Sequence, residues 1–288
     1  MYINANGKVI PEKKFAITTS NRAFCYGDSV FESMCVHKGE LLFPDLHISR
    51  MLNGLQSLQI IPPDFLSDDN YLQKHDAVLK LQKMAAQLCA KNNMVSFARI
   101  RFQCFRKEGG YYVPKTNECE WILVPAELNA NHYDWNANGL HLDYYLKMQK
   151  NATLISNFKT GNSALYVLAA KHAAERNYDD IILCNNKNKI VETSRANIFF
   201  YADGVFVTPK LNDGATSGVM RKHVMDLLRR NNFVLKEISM SKEDVTAMDE
   251  AFSTNVVSGI KWVDTIGKKK FKNKTVKKVH ELFIKSLV

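Results

Sequence analysis

A lysine between an aromatic residue and a turn is the first group in this sequence that could do covalent chemistry. Lys159 lies in the segment Asn157–Asn162 (NFKTGN), directly before an apolar helix pattern. Burial favours the neutral form of a lysine amine, and a neutral amine can attack an aldehyde to form a Schiff base. A lysine in a loop is more commonly a solvated surface residue, so this segment alone leaves both interpretations open.

A carboxylate precedes the apolar strand pattern Ile198–Tyr201. Glu192 lies in the stretch VETSRAN, which continues directly into that strand. A carboxylate that enters a core strand must find a cationic partner or bind a proton. The partner is either a nearby arginine such as Arg195 or the pyridinium nitrogen of a ligand.

Two further segments could bind a phosphate group. Gly218 opens a helix pattern that runs to Asn231, and the free N–H groups of a first helical turn form an anion site. Arg50 could bind phosphate through two parallel hydrogen bonds, although an arginine on a helix more commonly makes a surface ion pair. Each signal is weak by itself.

Motifs typical of several other enzyme classes do not occur in the sequence. It contains no Walker A loop, no G-x-G-x-x-G, no H-E-x-x-H and no G-x-S-x-G. The eight histidines have no metal-ligand spacing. We therefore expect no metal site, and nothing indicates a metal hydrolase, a kinase or a dinucleotide dehydrogenase.

The formal net charge of +10 is concentrated in one stretch. Residues Lys268–Lys278 include seven lysines and no acid. A nucleic-acid surface would interleave aromatic side chains, and only Phe271 is present here. We expect a solvated basic face and no nucleic-acid partner. A non-catalytic binding protein that acts through this stretch is the alternative from a different class.

The overall composition is that of a folded globular chain, with 46% hydrophobic and 24% charged residues among 288. No apolar run approaches the ~20 residues of a membrane span, and the N-terminus lacks a signal-peptide pattern. The six cysteines are scattered, which is typical of reduced thiols. We expect a cytoplasmic protein without membrane contact.

Turn residues and apolar periodicity predict the elements that position these groups. Asn6-Gly7 and Lys38-Gly39 each predict a hairpin, joining strands 2–4 and 8–10, and strands 29–37 and 40–43. Asp45 is expected to cap a helix through residue 59, with an apolar stripe formed by Leu46, Ser49, Leu52, Leu55 and Leu58. Further helices are predicted at 68–91, 163–177, 218–231 and from 275, and further strands at 95–105, 118–124, 140–145, 180–184, 197–201, 235–238 and 250–254.

The asparagine-rich stretch after the first group of strands has no sustained period and indicates a linker. We therefore expect an α+β protein with a small N-terminal α/β domain at 1–124, a linker at 125–137 and a larger domain at 138–288.

Taken in order, these segments resemble the class IV aminotransferases, which are fold-type-IV pyridoxal-phosphate (PLP) enzymes. The family includes branched-chain and D-amino-acid aminotransferases and aminodeoxychorismate lyase. The resemblance runs from Asn4 to about Val263, and its motifs are YGDSVFE at 26–32, HISR at 47–50, KTGN at 159–162, ETSRAN at 192–197, TP at 208–209, GVMR at 218–221, DEAF at 249–252 and TN at 254–255. It implies a larger domain with a mixed sheet or barrel, bound PLP and a homodimer.

The resemblance also implies a role for each matching residue. Lys159 would form the Schiff base with the cofactor and then move the α-proton of the substrate, and Glu192 would keep the pyridine nitrogen protonated. The phosphate would bind Arg50 and backbone N–H groups. The implied cofactor-binding set is Arg50, Lys159, Glu192, Ser194, Asn197, Gly218, Val219, Met220 and Asn255.

Substrate binding is implied for side chains of the N-terminal domain. Arg99 and Arg101 share a face of one predicted strand and Arg106 follows it, so that any of them could bind a substrate carboxylate or make surface ion pairs. Arg106 is similar to the arginine with that role in the D-amino-acid branch. Tyr26 and Phe31 are expected to line the substrate pocket or to pack in the core.

Two positions depart from the branched-chain aminotransferase pattern. Met220 and Val256 stand where those enzymes usually have threonine, and both substitutions resemble the aminodeoxychorismate lyase branch. Thr216 stands where a leucine commonly packs on the ring. The expected reaction is transfer of an amino group from an amino acid to a 2-oxo acid. The alternative is 4-amino-4-deoxychorismate lyase, which releases pyruvate and 4-aminobenzoate for folate synthesis.

Overall fold

The computed structural model describes residues 1–66, 71–94, 96–128 and 133–287 and divides the chain into two compact units. Unit 1 contains residues 1–132 together with Phe158–Asn162, and unit 2 contains Tyr133–Asn157 and Ser163–Val288. The short segment that carries Lys159 therefore belongs to unit 1. The domain boundaries at 124 and 138 stay a prediction; strand 119–127 runs into the expected linker, and residues 129–132 lie outside the described part.

Unit 1 is built around an antiparallel sheet. In the described residues its strands are β1 (Tyr2–Ala5), β2 (Lys8–Pro11), β3 (Ser29–His37), β4 (Glu40–Leu41), β5 (Phe97–Arg106) and β6 (Cys119–Glu127). They lie in the order β2-β1-β6-β5-β3-β4. The predicted hairpins are confirmed, because Asn6, Gly7, Lys38 and Gly39 all have the positive φ that two-residue turns require.

The helices of unit 1 are α1 (Arg22–Tyr26), α2 (Pro44–Ser57) and α3 (Tyr71–Lys91). The longest one buries Ala77, Leu81, Ala85 and Leu88, which repeat at helical spacing and so share a face. This stripe belongs to the same core cluster as Ile100 and Phe102 of β5.

The second predicted helix forms with a different start and a different buried face. Its N-cap is Phe43, which has φ 53°, and Pro44 takes the first helical position, so Asp45 lies inside the helix and is not its cap. The buried apolar stripe is Ile48, Met51 and Leu55; Leu52 and Ser49 are only half-buried.

Main-chain pairing with β3 holds the Lys159 segment in unit 1. The N–H of Phe31 donates to the carbonyl of Lys159 at 2.7 Å, and the N–H of Gly161 donates to the carbonyl of Ser29 at 2.9 Å. Thr160 forms an antiparallel bridge with Val30. The backbone of Lys159 is therefore fixed at the edge of a buried strand.

Unit 2 contains a mixed sheet. Its described strands are β7 (Leu140–Tyr145), β8 (Asp180–Cys184), β9 (Ile190–Thr193), β10 (Asn197–Ala202), β11 (Val205–Pro209), β12 (Val234–Ile238), β13 (Glu250–Asn255), β14 (Gly259–Ile266) and β15 (Lys269–Lys270). The order is β12-β11-β10-β13-β14-β7-β8-β9, with β15 beside β14. The terminal strand β9 also contacts β10 and β11, so the sheet curls back on itself as a half-barrel.

The helices of unit 2 are α4 (Ala164–Glu175), α5 (Val219–Arg230) and α6 (Lys274–Lys285). Three strands of this unit, β9, β11 and β14, were not recognised in the sequence. The start of the helix predicted at 68 falls on residues 67–70, outside the described residues. None of the helices described is long and apolar enough to cross a membrane. The α+β, two-sheet architecture with a curled larger sheet is confirmed.

Candidate functional site

Lys159 lies beside an aromatic ring that also carries an arginine. Its Nζ is 5.0 Å from the centroid of the Phe31 ring, and the guanidinium carbon of Arg101 is 3.9 Å from the same centroid. Burial and the charge of Arg99 lower the pKa of Arg101. Phe31 therefore contacts two basic side chains in unit 1.

Strand register explains this arrangement. In β3 and β5, Phe31 is opposite Gln103 and Ser33 is opposite Arg101, so these side chains share one face of the sheet. Arg101 Nε donates to Gln103 Oε1 at 2.9 Å, and Gln103 Nε2 donates to Ser29 Oγ at 3.2 Å. Arg101 is thereby oriented by a neighbour, whereas Arg99 is exposed two residues earlier on the strand.

The opposite face of β3 buries Glu32 against two residues of α2. Arg50 donates to both carboxylate oxygens, with Nε at 2.7 Å and Nη2 at 2.5 Å, and His47 Nδ1 lies 2.7 Å from Oε2. Burial alone would raise the pKa of Glu32, but the charges and hydrogen bonds of Arg50 and His47 lower it to about 2. Glu32 is therefore an anion at neutral pH.

His47 has one ring nitrogen that this network leaves unsatisfied. Burial lowers the pKa of His47 more than the hydrogen bond and charge of Glu32 raise it, and the charges of Arg50 and Lys159 lower it further. In the described part of the chain, buried Nε2 has no hydrogen-bond partner. A buried nitrogen of this kind is the type of group that a bound polar ligand satisfies.

Arg106 lies in a separate network around Asp28. Its guanidinium donates to Asp28 Oδ2 at 2.9 Å, and the other N–H groups reach Asn117 Oδ1 and the carbonyls of Leu58 and Gln59. A weaker bond of 3.4 Å reaches Asp28 Oδ1, so all five donors are engaged. Substrate binding by Arg106 stays a prediction, and it would require one of these bonds to be exchanged.

Tyr26 also contacts this region of unit 1. Arg22 binds Asp28 through Nε at 2.8 Å and stacks over the Tyr26 ring, whose centroid lies 5.6 Å from that of Tyr112. The expected roles of Tyr26 and Phe31 in a substrate pocket stay predictions.

In unit 2, Glu192 is the centre of a buried hydrogen-bond network. Its Oε1 accepts from Lys150 Nζ at 2.5 Å, Tyr166 Oη at 2.7 Å and Thr216 Oγ1 at 3.0 Å. Its Oε2 accepts from the N–H of Thr216 at 2.8 Å and from Asn197 Nδ2 at 3.3 Å. The protein cation that pairs with Glu192 is thus Lys150; Arg195, one of the two partners considered from the sequence, is exposed.

The network determines the protonation of its members. Burial raises the pKa of Glu192, but the charge of Lys150 and the hydrogen bonds outweigh it and lower the pKa overall. Burial and the Glu192 charge raise the pKa of Tyr166, so its phenol stays protonated and donates. Glu192 is therefore held as an ionised carboxylate that could bind a protonated ring nitrogen.

Close packing at the start of α5 requires glycine. A Cβ on Gly218 would lie 1.9 Å from Asn197 Oδ1, and Asn197 Nδ2 also donates to the carbonyl of Thr216 at 2.9 Å. Gly218 is the N-cap of α5 and has no side chain to accept the N–H groups of the first turn, which include those of Val219 and Met220. These groups are suited to an anion such as phosphate.

Two predicted cofactor-binding residues have other partners. Ser194 Oγ donates to Asp180 Oδ1 at 2.5 Å. Asn255 Nδ2 donates to the carbonyl of Arg195 at 3.2 Å, while its Oδ1 accepts from the N–H groups of the following turn. The Ser194 hydroxyl and one N–H of the Asn255 amide are therefore engaged, and the contribution of both residues to cofactor binding stays a prediction.

Sequence reasoning missed Lys150 and Tyr166. Lys150 lies in an irregular segment after β7, and Tyr166 lies on a helix whose exposed and buried positions have no clear amphipathic pattern, so neither carried a periodic signal. In the part of the chain that the structure describes, no group of three or more His, Cys, Asp or Glu residues could hold a metal ion.

The described residues of unit 1 include a lysine amine beside an aromatic ring, and those of unit 2 include a buried, ionised carboxylate and a helix that begins at a glycine. A family model described as amino-transferase class IV matches residues 29–266. The chain therefore belongs to the class IV aminotransferase family, and it is an enzyme of that family.

Individual relatives fall in more than one branch. The chain is 26% identical to an aminodeoxychorismate lyase of Vibrio harveyi over 246 residues, which cover 85% of each chain. Among solved structures, it is similar to the branched-chain aminotransferase of Thermoproteus uzoniensis with norvaline, with a TM-score of 0.87 and 21% identity. The match covers 99% of this chain and 94% of that one.

The PLP-form of the branched-chain aminotransferase from Thermobaculum terrenum has the same fold, with a TM-score of 0.85 and 16% identity. The match covers 99% of this chain and 93% of that one. The class IV aminotransferase family is PLP-dependent, so the cofactor prediction is confirmed at the level of the family.

Proposed function

We propose that this enzyme binds PLP and transfers an amino group from an amino acid to a 2-oxo acid. When bound, PLP supplies an aldehyde that condenses with amines and a ring that takes up electrons from the substrate α-carbon. The observation that carries the proposal is the buried, ionised Glu192, because its carboxylate has the negative charge that a protonated ring nitrogen needs, and shares that charge with Lys150.

The other residues have separate tasks in this proposal. Lys159 Nζ attaches the cofactor and carries the proton to and from the α-carbon. The N–H groups of Val219 and Met220, with Arg50, bind the phosphate. The buried Nε2 of His47 has no hydrogen-bond partner among the described residues. This supports a polar ligand near the network of Glu32, His47 and Arg50.

We assign the substrate carboxylate to Arg101. Arg101 and Lys159 contact the same Phe31 ring, and Gln103 orients Arg101, whereas Arg99 is exposed and Arg106 is engaged with Asp28. An arginine can bind a carboxylate through two parallel hydrogen bonds. The substrate is therefore an amino acid whose carboxylate binds Arg101.

The lyase reaction is the second candidate. Met220 provides no hydroxyl at the start of α5, and the aminodeoxychorismate lyase of Vibrio harveyi is a relative over most of the chain. The same residues would then serve to release pyruvate from 4-amino-4-deoxychorismate.

We further propose a cytoplasmic homodimer. Tyr111, Tyr112 and Val113 of unit 1 are 85%, 89% and 81% exposed, and Leu154 and Val167 of unit 2 are also largely exposed. Such clusters of apolar side chains favour association with another protein surface. Sedimentation at several concentrations tests this proposal, with a dimer expected.

The two reactions are distinguished by their products. The purified holoenzyme is incubated with amino-acid donors and 2-oxo acids, and separately with aminodeoxychorismate. New amino acid formed from the 2-oxo acid supports transamination. Pyruvate release without any amino transfer would replace it with the lyase reaction.

A further inference from the structure

Lys150 is a buried lysine whose position is fixed at both ends. Its N–H donates to the carbonyl of Cys184 at 2.9 Å, and its side chain is about as buried as that of Glu192. Nζ donates to Glu192 Oε1 at 2.5 Å, to the carbonyl of Ser156 at 3.1 Å and to Thr216 Oγ1 at 3.1 Å. An ammonium has three hydrogens, so this one is fully engaged.

Glu192 has no capacity left for a further donor. Its two oxygens accept five hydrogen bonds, while a carboxylate offers about four lone-pair sites. A protonated ring nitrogen must therefore displace or share with an existing donor. The longest of the five bonds, 3.3 Å from Asn197 Nδ2, is the one we expect to be given up.

Charge distinguishes Lys150 from the other donors. Among the hydrogen bonds that the described residues make to Glu192, only the one from Lys150 comes from a cation. A ring nitrogen that carries a proton would be a second cation on the same carboxylate. Two like charges that share one partner repel each other in a buried environment, and each is held less tightly than it would be alone.

On the basis of the proposed function, we propose that Lys150 is a positioning residue that shares Glu192 with the cofactor's ring nitrogen and weakens its binding. Lys150 keeps Glu192 ionised and paired when the cofactor is absent, because an unpaired buried carboxylate is costly. It also limits how strongly Glu192 holds the ring nitrogen. Lys150 thereby adjusts both cofactor affinity and the proton on the ring.

The test measures binding of pyridoxine 5′-phosphate to cofactor-free protein. This probe has the ring nitrogen and the phosphate but no aldehyde, so Lys159 cannot attach to it covalently. We expect Lys150→Met to bind the probe about tenfold more tightly than the wild type, as for coupled neighbouring groups. Lys150→Arg keeps the charge and should bind within about twofold of the wild type.

A double-mutant cycle separates coupling from damage to the fold. With Glu192→Gln already present, Lys150→Met should change the affinity by less than about twofold, because the shared carboxylate is gone. The melting temperature of cofactor-free Lys150→Met should be lower than that of the cofactor-free wild type. Adding the probe should raise the melting temperature of the variant more than that of the wild type.

Equal or weaker binding by folded Lys150→Met would overturn this inference. If Lys150→Met does not fold, Lys150→Gln replaces it in the same comparison. The proposed function fails by a different result, namely that borohydride reduction of the PLP-loaded enzyme leaves Lys159 unmodified. If none of the variants nor the wild type binds the probe, both proposals are wrong.

Discussion

The guanidinium of Arg101 lies over the Phe31 ring at 3.9 Å, and Lys159 lies 5.0 Å from the same ring. Under the proposed function, Arg101 binds the substrate carboxylate and Lys159 carries the α-proton, so both groups contact the same ring. Because Phe31 and Arg101 are on adjacent antiparallel strands, the sheet itself fixes their separation.

Replacing Arg101 should weaken substrate binding with little effect on the cofactor. For Arg101→Met we expect the KM of the amino-acid substrate to rise about 10–100-fold, since a charged hydrogen bond contributes about 1.5–3 kcal/mol. Arg99→Met, on the same face but exposed, is the matched control and should change KM less than threefold, or about 0.6 kcal/mol. An equal effect of both variants would contradict the assignment.

Acid should destabilise the wild type through Glu32. Its pKa of about 2 in the folded protein lies below the ordinary value of 4.5, so its stabilisation is complete above pH 4.5 and is lost as the pH falls towards 2. The shift corresponds to about 3 kcal/mol. Glu32→Gln should therefore lower the free energy of unfolding by at least about 3 kcal/mol at pH 7, because it also removes the carboxylate that pairs with buried Arg50.

Urea titrations between pH 2 and 7 measure this difference, which should shrink in acid. Glu118→Gln is the control, since Glu118 pairs with Lys107 on the surface and its loss should change the free energy of unfolding far less than Glu32→Gln does. A difference between Glu32→Gln and the wild type that does not change with pH would show that the Glu32 charge is not the cause.

Substitution of Gly218 should damage the phosphate end of the site. In Gly218→Ala, the new methyl group collides with Asn197, whose amide also holds Glu192 and Thr216. We expect a loss of about 1–3 kcal/mol in unfolding free energy. PLP affinity should fall as well, measured by titration of the cofactor-free protein. Lys222→Ala, in the same helix but exposed, should leave both quantities near the wild-type values; a Gly218→Ala protein with normal PLP affinity would contradict this account.

Local signals predicted much of the fold. Asn6-Gly7 and Lys38-Gly39 specify their hairpins because they supply the positive φ that the turns need. The helix after Phe43 was predicted with the wrong cap, because Pro44 and the left-handed residue before it set its start. Strand β9 was missed because Glu192 interrupts its apolar pattern.

The candidate site was predictable only where motifs mark it. Lys159, Glu192 and Gly218 each have a distinctive neighbourhood in the sequence. The pair Lys150 and Glu192 is separated by 42 residues and comes together only when β8 and β9 pair and the chain after β7 folds against them. Hydrophobic periodicity and secondary-structure propensity depend on residues that are close in sequence. They therefore carry no information on a contact between residues 42 positions apart.

The central claim is that Lys159 is the residue that attaches the cofactor. Borohydride reduction of the PLP-loaded enzyme, followed by digestion and mass spectrometry, should find the cofactor on the peptide that contains Lys159. Lys159→Ala should remain folded, lose that label and lose activity by at least about 10³-fold. A label on Lys150 or another lysine, or an active Lys159→Ala enzyme, would contradict the account.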